Sequence, residues 1–263
     1  MPSREAFIYI PPLVKTAFYL CSLISIAFFI SGLYSRFSIW LKGKEDPTDL
    51  SSRRLSTTGL ILLSIRYFFS SECLLAKRVM AKSKTRAIML IFIYWGFTIL
   101  FIGTVVVGID HYLKLHVLRG PFYLLFSFIL DIAGFSVLIG AVFFMLRRLI
   151  LSKGLVSGWD DLPLLIMMVI IILSGFTVEG VRLSITSPAL MDLSPFGAIL
   201  AVVLEKIGID KEFYIIAWSI HVLSALFFIA IIPFSKQFHM FAAQITTQDA
   251  IFRERNLERL VHD

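Results

Sequence analysis

The sequence is short of charge and short of cysteine, and each shortage removes a class of protein. Charged residues make up 16% of the 263-residue chain, where soluble domains carry about a quarter. A water-soluble core could not hide the 58% of residues that are hydrophobic or account for a mean hydropathy of +0.86. The two cysteines, Cys21 and Cys73, lie far apart and form no CxxC pair, which excludes a disulfide scaffold and a metal ribbon. There is no internal repeat or low-complexity run, and no sign of the interrupted helices or inverted halves that mark transporters. No small-residue cleavage site follows the first apolar stretch, so it is expected to be a retained helix rather than a cleaved signal peptide.

Long apolar runs are what the chain has in abundance. A helix that crosses a bilayer needs about 20 mostly apolar residues. Five stretches qualify: residues 13–34, 87–109, 122–146, 162–185 and 213–234. The expectation is a single all-α integral membrane domain, a bundle of five transmembrane helices. A sixth stretch, Leu60 to Leu75, is short and carries Arg66 and Glu72. With Arg53, Arg54, Lys77 and Arg78 around it, the segment over about residues 55–80 reads as an amphipathic helix lying at the interface.

The lysines and arginines orient the bundle. Eleven lie from Arg36 to Arg86, three more are Arg147, Arg148 and Lys153, and four are Lys236, Arg253, Arg255 and Arg259. These eighteen fall on one side of the five spans and the other seven on the opposite side. The N-terminus is therefore expected outside and the C-terminus in the cytoplasm, with a cytoplasmic basic loop over 36–86 and a cytoplasmic tail over 240–263. The chain is placed in the cell (plasma) membrane as a multi-pass protein. Its formal charge of +7 then reports topology and contact with anionic lipid, and nucleic acid is excluded as a partner. The long outer connection, Thr186 to Glu212, contains the apolar run Phe196 to Leu204. It is either a short helix on the outer surface or a lid over a lipid-soluble ligand.

Ionisable groups in hydrocarbon are costly, and each is a functional-site candidate. The third span carries Asp131, the fourth Glu179 and Arg182, and the fifth His221. At about 1.5 Å of rise per residue, all four fall in the outer half of the membrane and form a polar cluster. In one reading Asp131 and Arg182 neutralise each other and hold the third and fourth spans together. In the other, Asp131, Glu179 and Arg182 line a quinol pocket, where a carboxylate takes a proton as the quinol is oxidised. Gly180, beside Glu179, would open space for that ligand. His221 and His239 are 18 residues apart on the last helix, so their rings share a face about 27 Å apart along the axis. They are either hydrogen-bonded core residues or ligands to the iron of two haems stacked across the bilayer.

The segment from His221 to His239, with Pro233-Phe234-Ser235-Lys236 before the second histidine, resembles the last helix of the gamma (cytochrome b) subunit of respiratory nitrate reductase. The resemblance extends to Trp95-Gly96-Phe97 and Gly103-Thr104, Phe122-Tyr123 with Ser127, Leu130-Asp131 and Gly134, Arg147-Arg148, Asp161, and Gly175-Phe176-Thr177 with Glu179-Gly180 and Arg182. These look like the branch found in heterodisulfide-reductase-like menaquinol oxidoreductases and the sulfite-reductase-associated membrane complex. It covers most of the chain from about Arg66 to Met240. The resemblance implies a cytochrome b-type subunit of a respiratory complex that oxidises menaquinol. Electrons would pass through haem b to a cytoplasmic iron–sulfur partner related to heterodisulfide reductase, alongside the other subunits of the complex. It carries over His221 and His239 as ligands of haem iron.

The chain departs from the family in its second span, which contains no histidine where nitrate reductase has two haem ligands. His111 and His116 lie past its outer end and Met89 lies near its cytoplasmic end. His111 is the candidate for a second outer ligand, a His/Met pair with Met89 is chemically possible at the inner level, and one or two haems, or none, are allowed. The alternative function is a haem-less membrane anchor that still binds quinone within such a complex.

Overall fold

The computed structural model describes residues 7–41, 77–151, 162–186, 194–208, 211–235 and 238. They form seven α-helices and no β-strand: α1 (Pro12–Leu41), α2 (Lys77–Lys82), α3 (Lys84–Leu113), α4 (Gly120–Leu151), α5 (Leu162–Thr186), α6 (Pro195–Ile207) and α7 (Lys211–Ile231). Helices α1, α3, α4, α5 and α7 are each long and apolar enough to cross a membrane. The chain is an all-α, multi-pass membrane protein. Four of these helices start a little before the apolar stretch that marks them and α5 starts with it, and all but α7 end beyond it. α1, for example, runs on from Tyr34 to Leu41 through Arg36. Hydropathy marks the part of a helix that crosses hydrocarbon, while backbone hydrogen bonding continues into the interface. The expected interfacial helix over 55–80 lies outside the described residues apart from the start of α2, and so does the tail over 240–263.

The chain divides into two compact units, Met1–Ile24 with Ile88–Phe228 and Ser25–Ala87 with Ile229–Asp263. In the second, α7 tightens into a 3-10 turn, Ile232–Phe234, at Pro233, whose missing N–H and ring cannot continue an α-helix. Arg36 Nε donates to the Pro233 carbonyl at 3.1 Å. Gly32 leaves room for the same turn: a Cβ on it would stand 2.6 Å from Pro233 Cβ.

In the first unit the helices meet where side chains are small, the usual solution where lipid competes equally for apolar surface. A Cβ on Gly96 of α3 would lie 2.7 Å from the Ala133 carbonyl oxygen of α4, and one on Gly140 would lie 2.9 Å from that of Met89. Residues that face lipid stay exposed, among them Leu125, Ile129 and Ile132 on α4 and Ile166, Ile170 and Leu173 on α5. The opposite face of α4 carries buried Tyr123, Ser127 and Asp131. The turn before α1 is held by an aromatic cluster in which the Phe7 ring meets Phe18, His111 and Trp218 at centroid distances of 5.5, 5.1 and 5.9 Å.

Helix α6 begins with Pro195 at its first position and ends at Gly208 in the left-handed conformation (φ 72°), whose N–H turns back to the carbonyls of Leu204 and Glu205. It buries Gly197, Ala201 and Leu204. The apolar run seen in the sequence is thus a short helix seated on α5, and that seat shapes the site below.

Candidate functional site

Tyr123, Ser127 and Asp131 recur every four residues on α4 and make one polar stripe along its first three turns. Glu179 and Arg182 stand three residues apart on α5 and face it. Arg182 Nε donates to Glu179 Oε2 at 3.1 Å and its Nη2 to Oε1 at 2.6 Å. From α4, Ser127 Oγ donates to Glu179 Oε1 at 3.2 Å. Arg182 also donates to the Tyr123 hydroxyl, and its guanidinium carbon lies 5.6 Å from the centre of the Tyr123 ring. The side chains of Arg182 and Glu179 are 6% and 14% exposed, so the pair is withdrawn from solvent and held by two helices.

The sequence-based pairing of Asp131 with Arg182 is not what forms. Arg182 turns to the carboxylate on its own helix, which its rigid fork can grip at two points. Asp131 serves α6 instead. Its Oδ2 accepts from Ser194 Oγ at 2.9 Å, from Phe196 N–H at 3.0 Å and from Gly197 N–H at 3.4 Å. Gly180 does not open a ligand space either. A Cβ there would meet Leu200 Cβ at 2.8 Å and the Gly197 carbonyl oxygen at 3.3 Å, so α6 already occupies the room that the missing side chain leaves.

His221 reaches α5 one turn before this pair. Its Nδ1 lies 3.0 Å from the Ile171 carbonyl oxygen and 3.2 Å from Ser174 Oγ, and a Cβ on Gly175 would stand 3.1 Å from its Cε1. A carbonyl oxygen only accepts, so Nδ1 carries the proton. An imidazole that binds iron through Nε2 has its other nitrogen oriented in this way, by a backbone carbonyl. On this observation His221 fits a haem ligand. Gly175 and Glu179 are four residues apart on one face of α5, about 6 Å along the axis, so the imidazole and the carboxylate occupy successive turns.

His111 is placed elsewhere: its ring packs against Phe7 and Tyr112 at centroid distances of 5.1 and 5.2 Å. His239 lies outside the described residues. The structure thus joins Glu179 with Arg182, links Asp131 to them through α6, and sets His221 on the adjoining turn. Tyr123, Ser127, Ser174 and Ser194 are functional candidates that a search for charged groups passes over. The four-residue spacing of Tyr123 and Ser127 from Asp131 was the available signal.

No protein-family model matches the chain, and no solved structure matches it. The resemblance to the nitrate reductase gamma subunit is therefore not shown by these comparisons. A protein of Syntrophomonas wolfei subsp. wolfei (strain DSM 2245B / Goettingen), named EtfAB:quinone oxidoreductase, is 25% identical over 246 residues. That match covers 86% of this chain and 32% of the relative, so the chain is similar to about a third of a longer protein.

Proposed function

We propose that the chain is a quinone-linked electron-transfer subunit of the membrane, and that the quinone head group is handled at Glu179 and Arg182. The observation that carries this reading is the two-point ion pair itself, buried between α4 and α5 with Tyr123 and Ser127 against it. An ion pair removed from water inside an apolar bundle is costly, and a redox reaction that moves protons gives it work. Two further facts support the assignment. The relative's name makes quinone one of its reactants, and the match covers 86% of a chain with five helices long and apolar enough to cross a membrane, where a lipid-soluble quinone would be met.

In the direction of quinol oxidation, menaquinol gives up two protons and two electrons. Glu179 takes the two quinol protons in turn, releasing each towards the outer side, while Arg182, itself bonded to the Tyr123 hydroxyl, grips the carboxylate and Ser127 donates to its Oε1. His221 would hold a b-type haem, with His239 as the inner ligand that the resemblance carries over and His111, past the outer end of the second span, as the candidate for a second outer ligand. When bound, haem supplies one-electron chemistry that splits the two-electron quinol couple. The expected recipient is a cytoplasmic iron–sulfur, heterodisulfide-reductase-like partner, on the basic side of the bundle. The test is quinol-analogue turnover by the chain reconstituted with its membrane partners in lipid. Glu179→Gln should lose turnover while still folding, and unchanged turnover would refute the site.

A haem-less anchor that binds quinone is the second reading, favoured by the absence of histidine from the part of α3 that crosses the membrane. A reduced-minus-oxidised spectrum of the purified complex separates the two, because only the first shows a b-type α-band.

A further inference from the structure

We infer that Asp131 is a positioning residue for Glu179, acting through the first turn of α6. The inference rests on the Glu179–Arg182 site proposed above. Every helix start leaves backbone N–H groups without internal partners, and here the usual local solution is not used. Ser194, at the N-cap of α6, makes no side-chain cap of its own, and its hydroxyl goes to Asp131 Oδ2. Pro195 has no N–H. The next two, from Phe196 and Gly197, go to the same Asp131 oxygen. Helix α6 is therefore capped by a side chain from α4. Asp131 and Ser194 are 4% and 1% exposed, so water is poorly placed to take over if the carboxylate is lost.

The position that Asp131 imposes on α6 is passed to Glu179 by close packing. Gly197 donates its N–H to Asp131 and lies against Glu179: a Cβ on it would stand 3.2 Å from Glu179 Cγ and 3.1 Å from Leu183 Cδ1. Next to Glu179, Gly180 admits the backbone of α6, with 3.3 Å from its would-be Cβ to Ala201 N. The same first turn is pinned by Phe196, whose ring stacks on Phe135 at 4.2 Å and 19° and meets Phe176 at 5.7 Å. With no slack on that face, a shift of α6 moves the stem of Glu179. Arg182 has Glu179 and Tyr123 as its partners, and the three donors of α6 need the Asp131 oxygen as an acceptor. The role of Asp131 is placement, and proton transfer falls to Glu179.

The experiment compares Asp131→Asn, Asp131→Ala, Ser194→Ala and Gly197→Ala in the full chain in lipid nanodiscs. A spin label sits at Ile199→Cys, an exposed position of α6, with Cys21 and Cys73 replaced by serine. An asparagine oxygen still accepts the three bonds, so Asp131→Asn should keep an immobile label, near-normal turnover and an unchanged pH profile. Asp131→Ala and Gly197→Ala should both mobilise or displace the label and raise the KM for a quinol analogue about tenfold. Ser194→Ala should do the same to a smaller extent, and it reads the cap if Asp131→Ala does not fold. Loss of turnover in Asp131→Asn with the label still immobile would overturn the inference, making Asp131 a proton carrier. An immobile label in Asp131→Ala, or in Ser194→Ala where Asp131→Ala does not fold, would overturn it too. If the wild-type chain shows no quinol turnover, the site reading fails, while the label still reports whether Asp131 places α6.

Discussion

Glu179 and Arg182, three residues apart on α5, satisfy each other at two points, with Nε to Oε2 at 3.1 Å and Nη2 to Oε1 at 2.6 Å. A pair this well matched stabilises only while both members are present. Taking away the cation leaves a carboxylate between two helices, with Ser127 as one remaining donor. Arg182→Ala should therefore cost about 3–5 kcal/mol, read as a lowered midpoint of denaturant unfolding in detergent. The double change Glu179→Gln with Arg182→Met should recover most of that loss. A double variant as unstable as Arg182→Ala would show that the charge left behind is not the source of the cost.

Glu179→Gln alone separates chemistry from packing. The amide keeps the size of the carboxylate and one oxygen for Arg182 and Ser127, but it cannot take a proton. Quinol turnover should fall by about a hundredfold or more, in the range that general-base removal gives, while the unfolding midpoint moves far less than in Arg182→Ala. Turnover and unfolding measured on the same preparation check both halves. Equal losses in the two would reduce Glu179 to a structural role.

The His221 assignment makes a spectral prediction. His221→Ala should remove the reduced α-band of a b-type haem bound through this ring. Ser174→Ala should leave the band in place, because the Ile171 carbonyl still accepts from Nδ1 at 3.0 Å. An unchanged spectrum in His221→Ala would defeat the assignment, and a colourless wild-type complex would establish the anchor reading.

The spans were legible because each is a long run whose composition alone separates hydrocarbon from water, and all five were located from it. The cluster of Asp131, Glu179 and Arg182 was legible as a depth, because charges in apolar runs stand out. Its wiring was not. Spacing shows that Glu179 and Arg182 share a face of α5, but it does not say which neighbouring helix faces it. The Asp131–Ser194 bond joins positions 63 apart in sequence, and its motive, an uncapped helix start, appears only once α6 has been seen to begin at Pro195. Gly180 was misread for a related reason. A missing side chain makes room, and only the fold says whether a ligand or a helix fills it.

Close backbone approach also sets which glycines can change. A Cβ on Gly96 would stand 2.4 Å from Ser136 Oγ, 2.6 Å from Val137 Cγ2 and 2.7 Å from the Ala133 carbonyl oxygen. The first of these atoms can rotate away, but the last is backbone and cannot. Gly108, on the same helix, has nothing within 4 Å of its would-be Cβ. Gly96→Ala should push α3 from α4 and cost about 1–3 kcal/mol, as overpacking does. Gly108→Ala should be neutral or slightly stabilising, because alanine favours helix over glycine. Unfolding midpoints of the two variants in one detergent decide the matter: equal effects would mean that α3 and α4 do not meet at Gly96.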